Sequence, residues 1–167
     1  ATVVIGARVA FFAPFLERGV PIVGVEPSCL LTLRDELLSV LPGAEAQRLA
    51  VASMLFEEWV RRERAAGRFR LPIATAGKRR ALLHGHCHQK AFGLMDGVLA
   101  ALRLVPGAQV SMIESSCCGM AGSFGYEAAH HDASLRMAEL SLLPAVRAAG
   151  DSIIVADGTS CRHQIAD

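Results

Sequence analysis

The segment ALLHGHCHQK, residues 81–90, decides the fold. Its first four residues, Ala81-Leu82-Leu83-His84, carry no polar alternation, as befits a strand covered on both faces. The run stops at Gly85, a cysteine follows between two histidines, and helix-forming residues take over from Gln89 to Leu102. A strand that hands its chain to a cysteine and then to a helix is half of a parallel-sheet unit.

Working outward, the same pattern occurs three more times. Pro21-Ile22-Val23-Gly24-Val25 ends in Glu26-Pro27-Ser28-Cys29. After the Pro106-Gly107 turn, the run from Gln109 to Ile113 leads into Cys117-Cys118, and residues 152–156 end in Asp157-Gly158-Thr159-Ser160-Cys161. Strands alternating with helices imply right-handed crossovers. The expectation is therefore an α/β fold with a short, mainly parallel sheet, flanking helices and every cysteine at the C-terminal strand edge, where such folds place their ligands.

The intervening segments complete the reading. Residues 6–18 suit a helix that contains Pro14 and stops at Gly19, and residues 30–43 are helical up to Pro42. Residues 45–64 read as the best amphipathic helix, with Leu49, Phe56, Trp59 and Val60 on one face and Arg61, Arg62 and Arg64 at its C-terminal end. Residues 66–80, rich in glycine and basic side chains, form a connection and the best internal boundary. Residues 127–149 are helical with a bend at Pro144.

Composition sets the limits on function. With 167 residues, 52% of them apolar, the chain is long enough for one domain with its own core. Seventeen basic against 16 acidic residues give a net charge of +1, no field for wrapping nucleic acid or an anionic membrane. No apolar run reaches the length of about eighteen residues that a membrane span needs, and the N-terminus lacks a signal-peptide pattern. The reading is a cytoplasmic protein without a membrane span, any attachment at the inner membrane being made through partners. A start on alanine inside an apolar segment suggests a piece of a longer polypeptide.

The five cysteines are an odd number and two are adjacent. Adjacent cysteines form a poor disulfide because the small ring strains the peptide bond between them. Metal ligation or thiol chemistry therefore outranks a disulfide framework. Four thiolates can satisfy an iron–sulfur cluster or a tetrahedral zinc ion. In SSCCGMAGSFG, residues 115–125, Gly119, Gly122 and Gly125 would let the backbone pass close to a bulky group with N–H groups directed at its sulfurs. His84, His86 and His88 alternate around Cys87, so an extended segment would put them on the opposite side from it, and a histidine ligand would need a turn at Gly85. His130, His131 and His163 read as surface residues or supports. Lys90 and Arg162, each just past a cysteine, could ease the negative charge of thiolates. Finally, IVGVEPSC (22–29) and IVADGTSC (154–161) echo one another, a hint of a duplicated unit.

Four motifs in order, VGVEPSCLLTLRDE (23–36), HGHCHQKA (84–91), SCCGMAGSFGYE (116–127) and ADGTSCRHQI (156–165), resemble the cysteine-rich CCG domain. That domain occurs in the heterodisulfide reductase B subunit, the glycolate oxidase iron–sulfur subunit and the anaerobic glycerol-3-phosphate dehydrogenase C subunit. The nearest likeness is to the C-terminal part of fused FAD-linked oxidases of the D-lactate and D-2-hydroxyglutarate dehydrogenase type. The resemblance implies that residues 1–167 form one CCG-type domain, with 1–36 the tail of a preceding half-repeat and 81–167 a complete unit. It further implies metal ligation by Cys87, Cys117, Cys118 and Cys161, with Cys29 a ligand of the preceding unit. Some members carry another cysteine where this chain has Gln164, a departure that leaves an ordinary iron–sulfur cluster or zinc as the candidates. The implied partners are a flavin domain of the same chain or complex, holding FAD outside this segment, and a downstream electron acceptor. No flavin or substrate signature is present here, so no catalytic residue is assigned and the segment alone is expected to be inactive. Two alternatives stand beside this reading: a structural zinc or subunit-docking module, and a thiol enzyme that pairs Cys87 or Cys118 with a histidine.

Overall fold

The apolar run that opens the 81–90 segment forms the middle strand of a three-stranded parallel sheet. The computed structural model describes residues 2–75 and 77–167; Ala1 and Ala76, the latter inside the connection expected at 66–80, lie outside the described residues. The chain divides into two compact units, Ala1–Trp59 and Val60–Asp167. Among the described residues, no helix is long and apolar enough to cross a membrane.

In the first unit, helix α1 (Thr2–Glu17) includes Pro14 and ends as Val20 N–H reaches back to Phe15 O at 3.0 Å. Strand β1 (Ile22–Gly24) is followed by the short helices α2 (Pro27–Leu31), α3 (Glu36–Val40) and α4 (Ala44–Ala52). Strand β2 (Ser53–Leu55) pairs with β1 in parallel, Val23 opposite Met54. The core gathers Val9, Leu37, Ala46 and Leu49.

The continuous helix expected over residues 45–64 is interrupted here. Ser53, Met54 and Leu55 leave the helical path to pair with β1, and helix α5 (Phe56–Ala65) begins only afterwards. Burial explains the break: Ser53 and Leu55 go inside, whereas Phe56, expected on the buried face, stays 41% exposed. Glu58 holds the exit in place, accepting from Leu55 N–H at 2.9 Å and from Arg34 at 2.8 Å.

The second unit holds β3 (Arg80–His84), β4 (Gln109–Met112) and β5 (Ile153–Ala156) in the order β4-β3-β5, all parallel. Helices α6 (Cys87–Ala91) and α7 (Met95–Leu102) follow β3, and a short 3-10 turn (Phe124–Tyr126), α8 (His131–Glu139) and α9 (Leu142–Arg147) follow β4. Helix α10 (Thr159–Ala166) closes the chain. The α/β expectation with short parallel sheet and flanking helices holds, and the strands divide into two such sheets, one per unit.

Two further helices differ in detail. The helix expected from Gln89 breaks at residues 92–94 between α6 and α7. The bend expected at Pro144 falls instead at residues 140–141, which puts Pro144 in the first turn of α9. There its missing N–H has no intrahelical partner to lose.

The core of the second unit is unusual in composition. Ile113, Met120 and Leu142 pack with two of the cysteines, Cys118 and Cys161, and Leu82, Cys117, Val146 and Ile165 lean on them. Sulfur is therefore part of the core at the end of the sheet.

Candidate metal centre

Three parallel strands end on the same edge, and each delivers part of one cluster. After β3 the chain passes His84-Gly85-His86, and Cys87 becomes the first residue of α6. After β4 come Ser115, Cys117 and Cys118; after β5 comes Cys161, the third residue of α10. All five cysteines are free, Cys118 and Cys161 buried, Cys117 partly so, Cys87 and Cys29 exposed.

Backbone and side chains fix this edge closely. His86 accepts from His88 N–H at 3.2 Å while Gln89 accepts from His86 N–H at 3.1 Å, so the two cap α6 reciprocally. Gln89, fully buried, donates onward to Asp157 at 2.7 Å and ties the β3 end to the β5 end. Lys90 donates to the carbonyl oxygens of Ser115 and, at 3.1 Å, of Ser116. Arg162 donates to Ala156 O at 3.2 Å and Thr159 Oγ1 at 3.0 Å. Both cations thus hold the loops that carry the cysteines.

The four thiols of the second unit influence one another in a row, Cys87 with Cys117, Cys117 with Cys118, and Cys118 with Cys161. A row of this kind shares protons unevenly. Cys117 is pushed far down because Cys118 and Cys87 both donate to it, helped by the amides of Gly119, at 3.3 Å, and Ala121. Cys118 and Cys87 are pushed far up, first by that same bond to Cys117. Cys161 falls to about 5, first through its bond from Cys118 and then through His84. The direction of these shifts puts negative charge most readily on Cys117 and Cys161, each stabilised by a neighbouring thiol.

Glycine matters at two places here. Gly119 has φ +93°, and a Cβ on it would drive into the Ser134 carbonyl of α8, which lets its N–H face Cys117. A Cβ on Gly158 would strike the His86 ring and stand 3.2 Å from Cys161 Sγ. Of the other glycines singled out from sequence, Gly125 packs against Met120 and Ser134, and Gly122 faces open space.

The turn at Gly85 that a histidine ligand was expected to need is present. The strand ends at His84, so the alternation through residue 88 is not sustained and the chain bends before Cys87. His84 is 1% exposed; its Nδ1 lies 2.8 Å from Ser115 Oγ, and its Nε2 has no hydrogen-bond partner. A ring nitrogen of His84 and the sulfurs of Cys118 and Cys161 lie within 4.8 Å of one another. Among the other histidines, His88 Nδ1 is also buried without a hydrogen-bond partner, but His88 is not among the residues that converge with Cys118 and Cys161. His130 stacks on Phe124 at 4.2 Å and pairs with Glu127 at 3.1 Å, while His163 meets the Tyr126 hydroxyl.

Cys29 belongs to the first unit, in α2, where it lines a hollow of about 550 Å³ with Val9, Phe12 and Leu33. Its setting repeats that of Cys161: each is the third residue of a helix that follows a parallel strand, which is the sequence echo seen in three dimensions. Sequence reasoning missed Ser115, Gly158 and the Gln89–Asp157 link. Gln89 alone left a signal, by standing three residues after the capping His86.

The donor set suits a soft or borderline metal. Thiols neighbour one another, backbone amides point at Cys117, and a nitrogen of the buried His84 lies within 4.8 Å of the Cys118 and Cys161 sulfurs. The opposite reading, a nucleophilic cysteine with a histidine base, fits less well. The imidazole nearest Cys87, His86 Nδ1 at 3.9 Å, already accepts from the His88 amide.

Fold and site together define the class: a parallel α/β domain with cysteines gathered at the C-terminal edge of its three-stranded sheet. The chain is similar to D-2-hydroxyglutarate dehydrogenase of Escherichia coli strain K12, 35% identical over 158 residues that cover 92% of this chain and 15% of that protein. It is likewise similar to the same-named enzyme of Pantoea ananatis, 32% identical over 158 residues, again 15% of the relative. The anaerobic glycerol-3-phosphate dehydrogenase C subunit of E. coli K12 is 27% identical over 148 residues, 89% of this chain and 36% of that relative. The chain therefore spans only a minor part of each of these oxidoreductases. No family model matches it, and no solved structure does.

Proposed function

We propose that this chain is an electron-transfer module of the CCG type, in which Cys87, Cys117, Cys118 and Cys161 hold an iron–sulfur cluster. In this reading it belongs to a larger FAD-linked oxidoreductase that acts on a 2-hydroxy acid. The observation that carries the reading is the gathering of four free thiols, neighbours in the order Cys87, Cys117, Cys118, Cys161, at the C-terminal edge of one parallel sheet. The similarity to two D-2-hydroxyglutarate dehydrogenases supports the substrate class.

A bound cluster would accept one electron at a time and pass it on. The residues of this chain supply its setting. Gly119 and Ala121 amides stabilise sulfur charge at Cys117, an effect that raises a cluster's potential. The exposed Cys87 end leaves one side of the site open, while Cys118 and Cys161 close the other against the core. The flavin donor and the final acceptor sit on other parts of the assembly, FAD among them, and Cys29 serves a preceding half-repeat.

A structural zinc site is the second reading. The convergence of a histidine nitrogen on Cys118 and Cys161 favours it, because mixed sulfur and imidazole ligation suits zinc.

Metal and acid-labile sulfide analysis of protein purified without oxygen tests both. Iron with sulfide and a brown colour is the expected result, and Cys118→Ser should abolish it. Zinc without sulfide selects the second reading. Full metal occupancy in Cys118→Ser would sink the ligand assignment.

A further inference from the structure

A buried imidazole nitrogen without a partner is costly, and native interiors leave few of them. His84 Nε2 is such an atom, on a ring 1% exposed at the end of the central strand. The ring is not loosely held. Its Nδ1 meets Ser115 Oγ at 2.8 Å, and the Lys90 ammonium, a donor only, approaches the same hydroxyl at 3.4 Å. Ser115 owes its place to β4, whose ladder continues through Ile113 N–H to Leu83 O at 2.9 Å before a tight turn from Ser115 N–H to Ile113 O, also 2.9 Å.

Ser115 Oγ can accept from a proton on Nδ1, and in that tautomer Nε2 carries the lone pair that a metal would take. An imidazole fixed through one nitrogen so that the other is free to coordinate is the usual setting of a metal-bound histidine. The sulfurs within 4.8 Å of a His84 nitrogen belong to Cys118 and Cys161.

We propose that His84 Nε2 is a direct nitrogen donor to the metal centre beside Cys118 and Cys161, with Ser115 as the residue that positions it. The inference rests on the metal-centre reading above. It makes the donor set mixed, four sulfurs and one nitrogen, so the metal site is not built from cysteine alone.

The test uses the whole chain, loaded anaerobically and labelled with 15N-histidine. If metal analysis finds iron, pulsed EPR of the reduced protein reads the nitrogen coupling; if it finds zinc, X-ray absorption at the zinc edge reads imidazole scattering. The expected result is a coordinated-nitrogen signature in the wild type and in His88→Gln that disappears in His84→Gln, with metal still bound. Ser115→Ala should keep the signature and weaken metal affinity by about tenfold or more. The wild-type spectrum needs no variant to fold, so a sulfur-only coordination sphere, or a nitrogen signature that survives in His84→Gln, overturns the His84 assignment while leaving the metal centre standing. Failure of the wild type to bind any metal overturns both.

Discussion

Gly158 shows how much a single missing methyl can decide at this site. Its Cα lies where any side chain would displace the His86 cap and crowd Cys161. Gly158→Ala is expected to cost about 1–3 kcal/mol by overpacking and to lower metal occupancy. Gly122→Ala, whose only difficulty is a backbone at φ +68° with open space around it, should cost about 1–2 kcal/mol and leave occupancy near wild type. Thermal melts and metal analysis of the two variants check this, and the reverse order of occupancy would mean that the backbone approaches the centre at Gly122 instead. The cysteines themselves were readable from sequence because their type and adjacency carry chemistry. Ser115, Gly158 and the Nε2 of His84 were not, since a serine, a glycine and a histidine acquire their roles from what stands opposite them in another strand's loop.

At the scale of elements, the break in the helix expected over 45–64 is the instructive case. Residues 45–64 have good helical periodicity, yet three of them form β2 because β1 offers a parallel partner and Leu55 gains full burial. Local propensity is a weak preference that such tertiary pairing overrides. Leu55→Ala should therefore destabilise the first unit by about 2–5 kcal/mol, while Phe56→Ala, which gives up mainly its stacking on Trp59 at 5.9 Å, should cost about 0.5–1.5 kcal/mol. Denaturant unfolding followed by the fluorescence of Trp59, the sole tryptophan, separates the two. Equal losses would mean that the segment behaves as one amphipathic helix after all. Strands β3, β4 and β5 were legible to within a residue or so because each is a short apolar run bounded by glycine, proline or charge.

The whole molecule consists of two compact units, and every residue of the proposed centre lies in the second. A polypeptide covering residues 60–167 should accordingly load the same metal in the same ratio as the full chain, measured side by side after anaerobic reconstitution. If only the full chain binds metal, the site needs the first unit to form. Cys29 and Cys161 share one strand–helix–cysteine setting, each the third residue of its helix.

Sequence by itself determined the class of fold and which cysteines would meet at one strand edge. Apolar runs ending in cysteine, separated by helical segments, leave a parallel α/β arrangement as the topology that brings distant cysteines to one edge. Tertiary structure alone decided that the strands form two sheets, that four of the thiols become neighbours, and that a His84 nitrogen comes within 4.8 Å of the Cys118 and Cys161 sulfurs. These depend on register, on which backbone carbonyl or hydroxyl faces a side chain across the sheet, and no spacing along the chain encodes a distance between strands.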